Sequence, residues 1–263
     1  MNRKSVGALS WGLAVSPEGR VQHRGFLERL TALGYGLTYD AVVRRFPPYE
    51  KLLDEIAALV SRSDTSAQRS IRVLDIASGT GTVATRLARQ GYAVVGLDSV
   101  EHLIAVAQRN CRKRQLENVT FRHLDAAKDP IPGAGTFDVV VSMHTLYWHP
   151  DPHALLRACR RALRPGGHGI FLTYSRPAHI VGTLRRITLR EGVGPAIQSL
   201  RWLIPTAAFE MLRRSERRYM GQAEFHRALS EAGFDLLESR QTFLAEISLL
   251  AWVRARKPET GEE

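Results

Sequence analysis

A loop containing two glycines is the most distinctive chemical feature of the sequence. It has the pattern Asp75-x-Ala77-x-Gly79-x-Gly81 and lies between an apolar run and a segment with helical spacing. Glycines at such a junction let the backbone approach a ligand, and the free N–H groups of a helix N-terminus can bind it. Because Gly79-x-Gly81-x-x-Ala84 also satisfies the dinucleotide-binding pattern, a nucleotide-type cofactor is the first expectation.

Two further aspartates, Asp98 and Asp125, end the next two apolar runs. A carboxylate at the Asp98 position can accept hydrogen bonds from both hydroxyls of a ribose, which fits NAD and S-adenosylmethionine (SAM) equally well. Asp75 favours SAM, because a carboxylate there suits an amine and a sulfonium and is awkward beside a pyrophosphate. Asp125 is placed to accept a hydrogen bond from an adenine amino group. Because the sequence has no Tyr-x-x-x-Lys motif, an oxidoreductase ranks only third among the possible functions.

Strands and helices alternate around these residues. Apolar runs predict strands at 71–76, 93–97, 119–124, 137–142, 169–174, 236–243 and 247–254, and helical spacing predicts helices at 82–90, 101–115, 152–163 and 222–232. Such alternation implies a parallel sheet covered on both faces, and the short last connection implies an antiparallel closing edge. We therefore predict an α/β fold with a doubly wound, mostly parallel seven-stranded sheet whose last strand is antiparallel.

Five successive motifs resemble those of class I SAM-dependent methyltransferases, most closely the small-molecule branch that includes ubiquinone and menaquinone methyltransferases. They are Val73–Gly81, Gly96–Ser99, Leu124–Ala126, Phe137–Val140 and Leu163–Gly167. The resemblance covers residues 71 to 174, with 222 to 254 matched more loosely, and implies a Rossmann-like core. One departure from the family pattern is Ala77, which stands where the family has its first loop glycine.

The resemblance also implies a set of cofactor-binding residues at the strand ends. The set is Asp75, Ala77, Gly79, Gly81, Asp98, Ser99, Asp125, Ala126 and Met143. Within it, Asp75 and the glycine loop would face the methionine part of SAM, and Asp98 the ribose. Asp125 and Ala126 would face the adenine, and Met143 would contact the cofactor through its backbone.

The segment after the fourth strand is the candidate catalytic region, beside the expected position of the methyl group. Methyl transfer is an in-line displacement in which the protein mainly aligns the acceptor, although a neutral hydroxyl can need a base. His144 and His149 are candidate bases, with loop packing as the alternative. Tyr39 is a candidate to close over the cofactor, with a core aromatic as the alternative. No metal site is expected at His144, His149 and His153, because no carboxylate cluster supports one.

The segment from 176 to 220 interrupts the alternation with amphipathic helices, and we predict that it is a lid over the acceptor. It has nine arginines, no lysine and three glutamates. We expect an apolar stripe that includes Ile197, Leu200 and Ile204 to line the pocket. The arginines would face solvent, an anionic acceptor group or a lipid headgroup.

The predicted units are an N-terminal helical cover (1–70), the SAM-binding core (71–175), this lid (176–220) and the end of the core (221–263).

Composition limits the remaining possibilities. The net charge is +11, but 32 of the 37 basic residues are arginine, a skew typical of GC-rich genomes, so we give little weight to nucleic acid as a partner. The N-terminus mimics a signal peptide with a short apolar run and a poor cleavage context, so a cytoplasmic location is expected, with peripheral membrane attachment left open.

The predicted function is methyl transfer from SAM to an oxygen, carbon or nitrogen of a small, lipophilic metabolite, as in secondary metabolism. An RNA methyltransferase is the enzymatic alternative and an inactive SAM-binding module the non-catalytic one. The sequence identifies neither the acceptor nor the oligomeric state.

Overall fold

The computed structural model describes residues 46–64, 70–147, 149–177, 179–212 and 219–257, without the side chains of 208–212. The candidate Tyr39 and most of the predicted N-terminal cover therefore lie outside the described residues. The predicted unit boundaries stay predictions.

A seven-stranded sheet forms the centre of the described chain. Its strands are β1 (Arg72–Ile76), β2 (Ala93–Asp98), β3 (Val119–His123), β4 (Phe137–Met143), β5 (Leu163–Tyr174), β6 (Phe234–Thr242) and β7 (Ser248–Ala255). Their order is β3-β2-β1-β4-β5-β7-β6, and β7 is antiparallel to both of its neighbours. The predicted mostly parallel sheet with an antiparallel last strand is confirmed.

Helices pack on both faces of the sheet. They are α1 (Pro47–Ser63), α2 (Thr82–Ala88), α3 (Glu101–Arg112), α4 (Pro152–Ala162), α5 (Ile180–Glu191), α6 (Val193–Leu212) and α7 (Gln222–Glu231). One apolar core joins α1, α2 and α3 to one face, and a second joins α4 and α7 to the other. In β4, Val139 and Val141 belong to the first core and Val140 to the second. A strand buried on both faces reads as a continuous apolar run, which is why these strands were easy to predict.

The two helices α5 and α6 occupy the predicted lid segment, but the predicted pocket-lining stripe is wrong. Ile197 and Ile204 are 63% and 55% exposed. The buried side of α6 instead carries Ala196, Trp202 and Leu203. In the described part of the chain, no helix is both long and apolar enough to cross a membrane.

Candidate active site

A cavity of about 420 Å³ lies where β1, β2 and β4 end. Ile76 is in register with Leu97 of β2 and Ser142 of β4, so the loops after these three strands emerge side by side. The carboxyl ends of parallel strands are where such sheets bind ligands, and the volume is that of a typical small-ligand pocket. The predicted residues that line it are Asp75, Ala77, Gly79, Asp98, Ser99, Asp125, Ala126, Met143, His144 and His149.

The loop after β1 bends through left-handed backbone conformations. Ala77, Gly79 and Gly81 have φ values of 55°, 54° and 81°. At Ala77 this conformation costs a residue with a Cβ about 1 kcal/mol, which explains why the family pattern has glycine there. Gly81 is not among the residues that line the cavity. A Cβ on Gly81 would lie 2.7 Å from Cζ of Phe121, so its glycine is required by packing as well as by φ.

Asp75 is buried beneath this loop, with only 2% of its surface exposed. Its Oδ2 accepts a hydrogen bond of 3.1 Å from the backbone N–H of Ala84 on α2. Burial, reinforced by the nearby charge of Asp98, outweighs that hydrogen bond and raises the pKa of Asp75 to about 8. The site therefore holds a carboxyl group that a bound cation would ionise.

Asp98, at the end of β2, is hydrogen-bonded by two backbone N–H groups. Oδ2 accepts from Gly79 at 2.8 Å and Oδ1 from Val100 at 2.9 Å. Burial raises the pKa of Asp98 above its usual value, although both hydrogen bonds and the charge of His123 oppose the change. Asp98, which is predicted to bind the ribose, therefore also holds the glycine loop against β2. Sequence reasoning missed this second role.

Asp125 lies at a more exposed end of the cavity. Its Oδ2 is 2.8 Å from Nζ of Lys128, and its Oδ1 accepts from the N–H of Ala127 at 3.1 Å. Burial would raise the pKa of Asp125, but these hydrogen bonds and the charge of Lys128 outweigh it and lower the pKa. His149 belongs to this end, because its Nε2 is 3.9 Å from Oδ1 of Asp125 and its Nδ1 is held by the backbone of Asp151.

His144 lies on the other side of the cavity, just after β4. Its φ is 53°, and its N–H donates to the carbonyl of Leu172 at 2.7 Å. The imidazole stacks on Tyr174 with the ring centroids 4.0 Å apart, and its Nε2 is 2.9 Å from Oγ of Ser248. Burial lowers the pKa of His144 to about 3, so the ring is neutral at physiological pH.

An aromatic wall extends from His144 towards α6, and sequence reasoning missed it. It consists of Tyr147, Tyr174, Trp202 and Phe243. The rings of Tyr147 and Tyr174 pack edge to face with their centroids 4.7 Å apart, and those of Trp202 and Phe243 do so with their centroids 5.1 Å apart. Tyr147 and Tyr174 line the cavity, together with Tyr49 from α1. Helical spacing could have indicated Trp202, but no local pattern indicates Phe243.

Phe243 projects from an unusual turn between β6 and β7. All four residues from 243 to 246 have positive φ although none is glycine. The N–H of Ile247 closes the turn by donating to the carbonyl of Phe243 at 3.0 Å. Two arginines of the lid segment hold it: Arg176 donates to the carbonyl of Ala245 at 2.9 Å, and Arg190 pairs with Glu246 at 2.8 Å.

No group of histidine, cysteine, aspartate and glutamate side chains suited to a metal ion occurs among the described residues. The third histidine considered for such a site is His153, and its Nδ1 lies 3.8 Å from Oε2 of Glu231 on α7.

Comparison with known proteins agrees with this geometry. Residues 73–167 match a family model described as a methyltransferase domain. The chain contains a class I SAM-dependent methyltransferase domain. The residues that line the cavity suit the cofactor of this domain, because the buried carboxyl groups of Asp75 and Asp98 would face its cationic part and the left-handed loop leads into the N-terminus of α2.

Curated relatives share this methyltransferase domain. The ubiquinone biosynthesis O-methyltransferase of Acinetobacter baumannii strain AYE is 33% identical over 105 residues, covering 40% of this chain and 44% of the relative. That of Caulobacter sp. strain K31 is 35% identical over 135 residues, covering 51% and 50%. The chain thus spans about half the length of the curated relatives that it matches.

Solved structures share the fold. Magnesium protoporphyrin IX methyltransferase from Synechocystis PCC 6803, with bound SAM, has a TM-score of 0.60 at 15% identity and covers 93% of this chain and 99% of that one. The cyclase SpnF has a TM-score of 0.56 at 19% identity, covering 78% and 81%. The fold therefore occurs with different chemistries, and the acceptor must be argued from the site.

Proposed function

We propose that the protein transfers a methyl group from SAM to a hydroxyl oxygen of a small, lipophilic metabolite. The observation that carries this proposal is the position of the neutral His144, which joins the cofactor cavity to the aromatic wall. Aromatic side chains favour a flat, apolar acceptor. An oxygen acceptor is also supported by the curated relatives, which are O-methyltransferases of ubiquinone biosynthesis.

SAM supplies an electrophilic methyl group, so the protein must hold the cofactor, align the acceptor and exclude water. Asp75 would face the amine and sulfonium, Asp98 the ribose hydroxyls and Asp125 the adenine amino group. The aromatic wall would orient the acceptor ring. The outer boundary of the acceptor chamber would come from α5 and α6.

His144 is the better candidate base of the two histidines. Its Nε2 is engaged with Ser248, which leaves Nδ1 to accept the hydrogen bond of an acceptor hydroxyl. Since burial lowers the pKa of His144 to about 3, the neutral ring would first accept a hydrogen bond from the acceptor hydroxyl and would take its proton only as the bond between the oxygen and the methyl group forms. This timing favours an acidic hydroxyl such as a phenol. His149 is less suited, because its Nε2 lies beside Asp125 and its Nδ1 is held by the backbone of Asp151.

Radiolabelled SAM incubated with a panel of lipophilic phenols tests the proposal, with the labelled product extracted into organic solvent. We expect His144→Ala to lower kcat by about a hundredfold, while His149→Ala, the matched control, changes it little. Calorimetry should show unchanged S-adenosylhomocysteine affinity in the His144 variant. If RNA is labelled and no phenol is, the RNA methyltransferase alternative is supported. If SAM binds and no methylated product forms, the inactive SAM-binding module is supported.

A further inference from the structure

A second cavity, of about 540 Å³, lies beside the cofactor cavity at the carboxyl edge of the sheet. Its described lining comes from the first part of α1, the end of α5, the beginning of α6 and the strained turn between β6 and β7. None of these residues lines the first cavity. The second cavity therefore offers room that the candidate cofactor-binding residues do not reach.

A single layer of side chains separates the two cavities. Phe243 lines the second cavity, and its ring centroid is 5.6 Å from that of His144, which lines the first. On α1, Tyr49 lines the first cavity and Leu52 the second, and residues three positions apart are neighbours on a helix face. Displacement of the Phe243 ring would therefore join the second cavity to the space beside His144.

The first cavity is too small for the cofactor and a long acceptor together. Its volume is about 420 Å³, whereas a drug-sized ligand alone takes a pocket of roughly 300–1,000 Å³. SAM is a ligand of that size, so it would leave room beside His144 for only the reacting end of an acceptor. The remainder of a longer acceptor needs adjoining space, and the second cavity supplies it.

The floor of the second cavity is apolar. It is formed by Leu52, Ile187, Phe243 and Leu244, and none of these side chains is more than 7% exposed. A hydrocarbon chain that lies on such a floor is removed from water, which strengthens binding about fourfold for each buried methylene.

The charges at the second cavity compensate one another. Nη1 of Arg190 is 2.8 Å from Oε1 of Glu246, and Nη2 of Arg240 is 3.5 Å from Oε2 of Glu55. The described lining as a whole has three basic and three acidic side chains: Lys51, Arg190, Arg240, Glu55, Glu191 and Glu246. Since the lining has no net charge and two of its basic side chains already contact an acid, the cavity suits an uncharged group.

We propose that the second cavity is the subsite for the part of the acceptor remote from the methylated oxygen, and that this part is an uncharged alkyl chain. The phenolic end reacts beside His144, and the chain passes the displaced Phe243 ring to lie on the apolar floor. Phe243 belongs to the strained turn that only Arg176 and Arg190 hold from the lid segment, so its ring can be displaced with the turn. The inference rests on the proposed function for the reacting hydroxyl and adds an alkylphenol as the class of acceptor.

Titration calorimetry of the S-adenosylhomocysteine complex with para-ethylphenol and para-hexylphenol tests the subsite without any methyl transfer. The hexyl chain is longer by four methylenes, each of which contributes about fourfold when it is fully buried. Because part of this gain is offset by displacing Phe243, we expect hexylphenol to bind at least tenfold more tightly than ethylphenol.

Two variants change the second cavity in opposite directions. Gln198→Trp narrows it from an exposed position on α6, so hexylphenol affinity should fall at least tenfold while ethylphenol affinity stays the same. Phe243→Leu shortens the dividing side chain and should raise the ratio of hexylphenol to ethylphenol affinity at least threefold.

The matched control is Gln222→Trp, the same substitution at an exposed glutamine of α7 that lines neither cavity. It should bind both phenols as the unchanged protein does. Equal affinities for S-adenosylhomocysteine should confirm that all variants are folded.

The subsite is overturned by binding of neither phenol, by equal affinities for the two phenols, or by unchanged hexylphenol affinity in Gln198→Trp. A loss that Gln222→Trp shares also overturns it. Methylation of ethylphenol with no effect of chain length would overturn the subsite alone. Tighter binding of hexylphenol with the expected variant effects, but no methylated product from SAM, would overturn the proposed function and leave the subsite.

Discussion

The buried carboxyl of Asp75 should make cofactor binding depend on pH. Burial, and secondarily the charge of Asp98, raise its pKa from 3.8 to about 8 despite the hydrogen bond from Ala84. At pH 7 roughly nine in ten molecules of the cofactor-free protein therefore carry a proton on this group. A bound ligand with an amine and a sulfonium favours the carboxylate, so binding should expel that proton.

The size of the effect follows from the ionised fraction of Asp75. With a pKa of about 8, that fraction is about 1% at pH 6 and about one half at pH 8. If the ionised form is the one that binds, the Kd for SAM should fall roughly fifty-fold between these two pH values. Above pH 8 the Kd should level off, because the group is then largely ionised without ligand.

Titration calorimetry at pH 7 in two buffers of different ionisation enthalpy measures the protons released. We expect a value close to one per SAM bound. Asp75→Asn is the control, because it keeps the size of the side chain and cannot ionise. In this variant the released proton should disappear and the Kd should vary little from pH 6 to pH 8.

Two results would refute this reasoning. One is the same proton release in Asp75→Asn, which would assign the proton to another group. The other is a Kd of the unchanged protein that is constant between pH 6 and pH 8, which would mean that Asp75 does not sense the bound cation.

The remaining predictions concern stability, the ribose, the base and the choice of cofactor. Because folding raises the pKa of Asp75, its protonated carboxyl contributes fully to stability below about pH 4, and this contribution is lost as the pH rises to about 8. The urea midpoint of Asp75→Asn should therefore increasingly exceed that of the unchanged protein between pH 4 and pH 8. A constant difference would contradict the raised pKa. Asp98→Ala should weaken S-adenosylhomocysteine binding at least tenfold, since each lost hydrogen bond to a charged group contributes about 1.5–3 kcal/mol; an unaltered Kd in a folded variant would exclude the ribose role. Since the pKa of His144 is about 3, the ring stays neutral and methyl transfer should show no limb from its titration between pH 5 and pH 9; a limb that disappears in His144→Ala would show that the ring titrates there. Calorimetry should show micromolar binding of S-adenosylhomocysteine, about −8 kcal/mol, and no useful NAD affinity; tighter NAD binding would overturn the cofactor.

The strands were predictable because their signal is local. β1 and β4 are buried on both faces, so each appears in the sequence as a mostly apolar run that ends at the site. β5 was predicted too short, as 169–174, since the structure begins it at Leu163, which pairs with Phe137 of β4. The glycines around 166 obscure that pairing in the sequence.

The orientation of α6 was not predictable from spacing. Ile197, Leu200 and Ile204 recur at helical intervals, but so do the buried Ala196, Ser199 and Leu203. A helix with two apolar sides does not reveal which side packs on the core, because periodicity identifies a face and not its neighbour. The sequence thus predicted that helices form here, but the prediction of which side of α6 packs on the core was wrong.

The strand ends that line the cavity were predictable for the same local reason, whereas the surroundings of His144 were not. Asp75 and Asp98 each lie at the carboxyl end of their own strand, β1 and β2, where an apolar run ends in the sequence. His144 and Ser248, by contrast, are 104 positions apart and meet only because β5 and β7 pair in the register Tyr174↔Ser248. No local pattern encodes that register.

The turn between β6 and β7 is strained and is held by long-range contacts. The turn at 243–246 places four non-glycine residues in left-handed conformations, each costing on the order of 1 kcal/mol. Only contacts elsewhere can offset this cost, and they come from the lid segment, through Arg176 to Ala245 and Arg190 to Glu246. Because Arg190 lies on α5, a displacement of α5 would act directly on the turn that positions Phe243 beside His144. The glycine loop, which Asp98 holds through the N–H of Gly79, shares neither of these contacts and would keep its geometry.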